Sequence, residues 1–189
     1  MSDGQDAQDV LERLRAEADG SPRYRELLHA DPDVLAASLT SAGQPLWTRE
    51  LAAYRLGLAG DRRAFEPLVL LLNHRDPARC AAAAEALAVL GDPRTARAAA
   101  ALATNELRTA YALQPVRLLV ALRAPESAPA LIRTLSRRLA PHDPYWRVAL
   151  ACVEGLGTLS DPSAREVLAR AQAHPRLAVA ATKALRALP

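Results

Sequence analysis

The sequence predicts an all-α fold in which helical hairpins stack on one another. Three observations support this. Alanine and leucine make up over a third of the 189 residues, one turn sequence recurs along the chain, and the apolar residues between turns follow helical spacing. Alanine and leucine are strong helix formers, whereas the aromatic residues that favour strands make up only 4% of the chain. The composition therefore favours helices that pack closely through small side chains.

The recurring turn joins one helix to the next at residues 58–61, 90–93, 122–125 and 159–162. Counted from residues 61, 92, 124 and 161, the intervals are 31, 32 and 37 residues, and the last is longer because residues 139–144 insert a loop. In the copy at 90–93, Gly91 can adopt the left-handed conformation that ends a helix. Asp92 can then cap the next helix, and Pro93 suits its first position, where no backbone N–H is needed.

A second turn, also a capping aspartate followed by proline, closes each unit. The copies are Asp31-Pro32, Asp76-Pro77 and Asp143-Pro144. Between the turns, apolar residues keep the i, i+3, i+4, i+7 spacing of one helix face. The clearest set is Cys80, Ala83, Ala84, Leu87 and Leu90. A unit of two such helices cannot bury its apolar face alone, so it must stack on its neighbours.

The stretch 76–93, DPARCAAAAEALAVLGDP, resembles the HEAT repeat, in the short variety named after phycobilisome lyases. The resemblance covers residues 47–189 and implies a right-handed α-solenoid (α/α superhelix) of roughly five hairpins. Repeats are expected at 47–76, 77–105, 106–142 and 143–174, with 175–189 as a partial C-terminal cap. Pro115 lies inside the first helix of the third repeat and should kink or delay it.

Residues 1–46 match the repeat only loosely and are predicted to form N-terminal capping helices, with the first few residues disordered. Helices are expected around residues 10–18, 23–29 and 34–39.

No pattern in the chain predicts catalysis, a metal site or a cofactor. A GxSxG elbow and Gly-rich phosphate loops are absent, and no pair of histidines has metal-ligand spacing. Each histidine lies within three residues of a turn proline, which indicates solvated turn residues: His29, His74, His142 and His174. Cys80 and Cys152 fall in apolar helical stretches and are expected to be buried free thiols.

Charge is unevenly distributed along the chain. Residues 1–31 carry eight acids and four arginines (−4), whereas residues 32–189 carry 20 bases and 13 acids (+7). The resemblance implies that second helices line the concave surface. Arginines on those helices are candidates for binding a partner, because arginine contacts carboxylates and phosphates in a bidentate manner. They are Arg94, Arg97, Arg133, Arg137, Arg165 and Arg170. The competing interpretation is that they form an ordinary solvated surface.

The loop at 140–146 is a second candidate for binding, because it combines an insertion, two prolines and two aromatic residues. Its candidate contacts are His142, Tyr145 and Trp146. Trp47, near the start of another first helix, is a further candidate. Either tryptophan can instead be a staple that packs on the preceding turn.

These observations predict a non-catalytic scaffold or adaptor that binds another protein, such as one with an acidic surface. A nucleic-acid (DNA) binding HEAT-like protein is the alternative, and a lyase or assembly-factor subunit, implied by the resemblance, is the second. The sequence contains no run of about 18 apolar residues, which a membrane span would need. The polar start of the chain lacks a secretory signal, so a cytoplasmic location is expected. The sequence makes no prediction of oligomeric state.

Overall fold

The computed structural model describes residues 3–41 and 43–189, which form helices and turns and contain no strand. The α-helices over this part of the chain are α1 Asp3–Glu17, α2 Pro22–His29, α3 Pro32–Thr40, α4 Leu46–Leu58, α5 Phe65–Leu72, α6 Pro77–Leu90, α7 Thr95–Ala103, α8 Leu113–Leu122, α9 Ser127–Ser136, α10 Trp146–Leu159, α11 Arg165–Ala171 and α12 Ala178–Arg186. Short 3₁₀ helices precede α5, α8 and α11, at Arg62–Ala64, Glu106–Tyr111 and Pro162–Ala164. The chain divides into two compact units, Met1–Thr95 and Ala96–Pro189.

In the first unit, α4 and α6 pack side by side as first helices of hairpins, and α3 and α5 pack against them as second helices. Leucines from these helices fill the core, including Leu51, Leu56, Leu68, Leu72 and Leu87. Helices α1, α2 and α3 lie in the segment for which two or three N-terminal helices are predicted, although α1 begins earlier than expected, at Asp3. Met1 and Ser2, to which the prediction of a disordered start applies, lie outside the described residues.

Helix α1 packs across α4 and α6 and is fixed there by a group of four charged side chains, which we call the charge quartet: Arg13, Glu17, Glu50 and Arg79. Glu50 of α4 accepts hydrogen bonds from both arginines, and Glu17 also pairs with both. The side chain of Glu50 is only 1% exposed and that of Arg79 only 10% exposed. The quartet therefore neutralises a buried carboxylate and joins three helices.

In the second unit, α8, α10 and α12 form a row of first helices, with α9 and α11 as the second helices beside them. The core contains Leu119, Leu131, Leu135, Leu156 and Leu168. The predicted all-α fold of stacked hairpins is confirmed within each unit. The division into a 1–46 cap and the repeat boundaries stay predictions.

The recurring turns confirm the predicted spacing. Each first helix from α4 to α10 ends at a residue with left-handed backbone: Gly60, Gly91, Arg123 and Ser160, with φ of 75°, 63°, 50° and 54°. Predicted capping is also confirmed, because the carboxylates of Asp76, Asp92 and Asp161 each accept a hydrogen bond from the backbone N–H two residues later. The hydrogen bonds from Arg94 hold the pKa of Asp92 at about 2.

Two turns differ from the predicted pattern. Asp31 precedes α3 without a side-chain hydrogen bond to it. The carboxylate of Asp143 does accept a hydrogen bond from the backbone N–H of Tyr145, at 2.8 Å, but α10 begins only at Trp146. The delay expected from Pro115 is confirmed, since α8 has 10 residues whereas α6 and α10 have 14 each. Over the described residues, no helix combines the length and hydropathy needed to cross a membrane.

Candidate interaction surfaces

Several of the candidate arginines pair with other parts of the chain, and two of them lie outside the predicted second helices, Arg94 in the turn before α7 and Arg137 directly after α9. The guanidinium of Arg94 lies 3.0 Å from the carboxylate of Asp92 and stacks 3.9 Å from the ring centroid of Phe65. Arg137 pairs with Glu106 at 2.9 Å. These contacts favour the interpretation that the arginines hold the turns in place.

The other candidates on second helices are more open. Arg165 donates a hydrogen bond to the carbonyl oxygen of Pro189 at 2.6 Å. Arg97 on α7, Arg133 on α9 and Arg170 on α11 are exposed to solvent. The binding role of this face stays a prediction.

The loop at 140–146 is tied to its own unit. Arg138 pairs with Asp143 at 3.3 Å, donates a hydrogen bond to the hydroxyl of Thr109 at 3.0 Å, and lies 5.5 Å from the ring centroid of Tyr145. Tyr145 is half-buried and His142 is exposed. These contacts therefore hold the loop against its own unit, directly before the start of α10.

The two tryptophans have different environments. Trp47 is half-buried, and its ring lies 6.4 Å from the ring of Tyr24 on α2, so it contacts an earlier helix. Trp146 is also half-buried, but its ring is flanked by two guanidinium groups. Arg147 lies 4.6 Å and Arg176 4.9 Å from the ring centroid. Cation–π contact of this kind keeps both arginines beside the indole at the protein surface.

Trp146 borders a groove on the first helices of the second unit, which we call the α10 groove. It consists of two cavities, of about 390 Å³ between α8 and α10 and about 570 Å³ between α10 and α12. Leu150, Glu154 and Thr158 line both cavities, so the two join along α10. Its volume is in the range of binding clefts, and its open form suits a macromolecule better than an enclosed small molecule.

The repeat register explains which side chains line the α10 groove. The tenth residue before the left-handed residue is Leu113 in α8 and Leu150 in α10, and Val179 occupies the matching place in α12. Four residues later come Arg117, Glu154 and Lys183. The side chain of Val179 is 87% exposed, which is unusual for a large apolar residue in a repeat helix.

The charge of the α10 groove is strongly one-sided. Its lining residues include four cations and one carboxylate, that of Glu154. The cations are Arg117, Arg147, Arg176 and Lys183. A cleft lined by one sign of charge attracts ligands of the opposite sign. The groove therefore offers an apolar floor with a positive rim to an acidic ligand.

The sequence pointed to Trp146 but not to its neighbours. Arg117, Glu154 and Lys183 occupy one repeat position and form a row of mixed charge. The same row does exist in the first unit, where the hydroxyl of Tyr54 donates a hydrogen bond to Glu85 at 3.0 Å. The missing signal was the apolar row four residues earlier.

His29 and His142 are exposed, as predicted for solvated turn residues, but His174 is buried, so the prediction is wrong for that histidine. The ring Nδ1 atoms of His74 and His174 accept hydrogen bonds from the backbone N–H two residues later, at 3.0 and 3.1 Å. Both cysteines are buried, as expected, and burial raises the pKa of the Cys152 thiol to about 12. Such a thiol is a poor nucleophile at neutral pH. The described residues contain no cluster of three or more side chains able to hold a metal ion.

No family model matches this sequence, and no curated protein matches it. Among solved structures, the chain is similar to the complex of CpcE and CpcF of phycocyanin lyase from Nostoc sp. PCC7120. The TM-score is 0.61 at 24% sequence identity, and the match covers 85% of this chain and 65% of the matched chain. The present chain thus spans about 65% of the length of that relative. A likeness at this identity shows the HEAT-like fold.

Proposed function

We propose that the chain is a non-catalytic protein-binding subunit that receives a partner protein in the α10 groove. The observation that carries this proposal is the open apolar floor beside Trp146, rimmed by four cations. Tryptophan and arginine are enriched among the residues that dominate the energy of protein interfaces. The second-helix arginines and the 140–146 loop are the other candidate faces. They are secondary because several of their side chains already pair with other residues of the chain.

The proposal predicts that Trp146→Ala weakens partner capture by at least about tenfold, because the indole anchors the groove and orients Arg147 and Arg176. The experiment is affinity capture from native cells with the tagged full chain, with captured proteins quantified by mass spectrometry. Trp47→Ala is the matched control, since Trp47 is an equally large, half-buried indole that packs on Tyr24.

Thermal melting of each variant first establishes that it is folded. A partner counts only if its recovery depends on Trp146 and not on Trp47, and if it rebinds the purified chain. Equal recovery by the wild type and Trp146→Ala contradicts the proposal.

A second candidate function is that of a lyase or assembly-factor subunit. It is favoured by the likeness to a two-protein phycocyanin lyase complex. In that case the purified chain, mixed with bilin and an apoprotein acceptor, should change the absorbance spectrum of the bilin. An unchanged spectrum over hours removes a lyase activity of the chain by itself. Binding of nucleic acid stays a prediction, which a steep loss of DNA affinity with rising salt would support.

A further inference from the structure

The same repeat position is covered by a helix in α4 of the first unit and open in α10 and α12 of the second. In α4, the tenth residue before the left-handed residue is Glu50, and α1 lies over it so that its side chain is 1% exposed. In the second unit, the corresponding residues of α10 and α12 are Leu150, which is partly exposed, and Val179, which is 87% exposed. The same repeat position is thus covered by a helix in α4 and exposed to solvent in α10 and α12.

We propose that the occupant of the α10 groove is an acidic amphipathic α-helix of the partner protein, laid across α8, α10 and α12. This rests on the proposed protein-binding function and names the kind of partner segment. Helix α1 is the precedent within the chain. It packs against α4 and α6, its Leu14 is fully buried, and its Arg13 pairs with the carboxylate of Glu50.

The floor of the α10 groove suits a helix that approaches closely. Leu150 and Val179 provide apolar contacts one helix apart, and small residues also line the groove at Ala151, Gly157 and Ala180. Small side chains let the backbone of a packed helix come near. A helix binds such a groove through apolar residues spaced at i, i+3, i+4 and i+7.

The charge of the groove determines the sign of the partner. At the position of Glu50, α4 presents a carboxylate, and Arg13 of α1 pairs with it at 2.5 Å. The α10 groove presents four cations against one carboxylate, so the complementary helix carries glutamate or aspartate beside its apolar stripe. The guanidinium groups of Arg117, Arg147 and Arg176 provide the forked donors that carboxylates accept best.

The test uses three fluorescein-labelled peptides of about 18 residues, a length that allows appreciable helix formation. The first has leucine at i, i+3, i+4 and i+7 with flanking glutamates. The second replaces each glutamate with lysine, and the third places proline at the centre of the first. Fluorescence anisotropy with the purified full chain at low salt gives each affinity. The glutamate peptide should bind saturably, and the lysine and proline peptides at least about tenfold more weakly.

Two variants of the chain locate the binding. Val179→Glu places a carboxylate in the groove and should lower the affinity for the glutamate peptide by at least about tenfold. Arg133→Glu, on an exposed part of α9, changes the net charge more but should leave the affinity within about twofold. Circular dichroism is used to check that both variants are folded. We expect that they are, because both positions are exposed.

Several outcomes overturn the inference. They are no saturable binding of the glutamate peptide up to about 1 mM, equal binding of the lysine or proline peptide, or equal loss in both protein variants. Displacement of the glutamate peptide by a DNA oligonucleotide at a lower concentration than by unlabelled peptide identifies nucleic acid as the occupant and also overturns it. Self-association of the chain, seen by light scattering and abolished by Val179→Glu, identifies a second copy instead. Failure here, with Trp146-dependent capture intact, refutes the helical occupant but not the protein-binding function.

Discussion

Replacing Glu50 with alanine should lower the free energy of unfolding by about 3 kcal/mol. The substitution removes the carboxylate that accepts hydrogen bonds from Arg13 and Arg79, and Arg79 then stays buried with only Glu17 and Asp76 to offset its charge. Removing one partner of a buried ion pair is more costly than removing both, because the remaining charge has lost its compensation. Differential scanning calorimetry should show a Tm lower by roughly 6–12 °C.

Two controls show whether the effect comes from burial. The double variant Glu50→Leu with Arg79→Met removes both charges and should be far closer to wild type than Glu50→Ala. Asp33→Ala breaks an exposed pair, between Arg63 and a carboxylate that is 92% exposed, and should change stability by less than about 0.5 kcal/mol. If Glu50→Ala is as mild as Asp33→Ala, the charge quartet does not hold α1 in place.

Replacing Gly157 with valine should also cost about 3 kcal/mol, at the upper end of the usual penalty for overpacking. A Cβ atom at this position would lie 2.9 Å from both the Cα and the Cβ of Ala184 in α12. The contact involves backbone, so a side-chain rotation cannot relieve it and α12 must move. Valine would gain roughly 0.5 kcal/mol over glycine in helix propensity, which is too little to offset the clash.

The measurement for Gly157→Val is calorimetry together with amide hydrogen exchange, which should quicken first in α12. Thr158→Val is the matched control, because it puts the same side chain one residue further along α10, on the exposed side. It should stay within about 0.5 kcal/mol of wild type. Wild-type exchange rates in α12 of Gly157→Val would show that α10 and α12 do not pack as closely as described.

The hairpin fold was predictable from the sequence because its signals are local. The left-handed turn residues, the capping aspartates and the apolar spacing of α6 each lie within about one helix of their effects. Arg123 and Ser160 take the place of glycine at two of the turns, so the interval between turns was a better guide than the residue type.

The charge quartet was not predictable in the same way. Arg13 and Arg79 lie 37 and 29 residues from Glu50 in the sequence, and helix periodicity does not report contacts at such distances. One sign was present. Glu50 is an acid at a repeat position that is otherwise occupied by alanine, leucine or valine. A charge at an apolar position of a repeat indicates that something charged covers it.

The candidate site was predictable in part. Trp146 and the arginine-rich character of the chain pointed towards binding, but the sequence predicts a second-helix face, and Arg94 and Arg137 of that set are engaged in pairs. The α10 groove depends on which residues are left uncovered. That property follows from the packing of whole helices, and it is visible in sequence only as apolar residues, such as Val179, at a position where the row faces outwards.

The most direct test of the account is the affinity of the captured partner for the purified chain, measured by isothermal titration calorimetry with wild type, Val179→Glu and Arg133→Glu. The account predicts that Val179→Glu raises the Kd at least about tenfold, which corresponds to about 1.4 kcal/mol, while Arg133→Glu leaves it within about twofold. The opposite order, with Arg133→Glu abolishing binding and Val179→Glu harmless, would place the partner on the second helices and contradict the account.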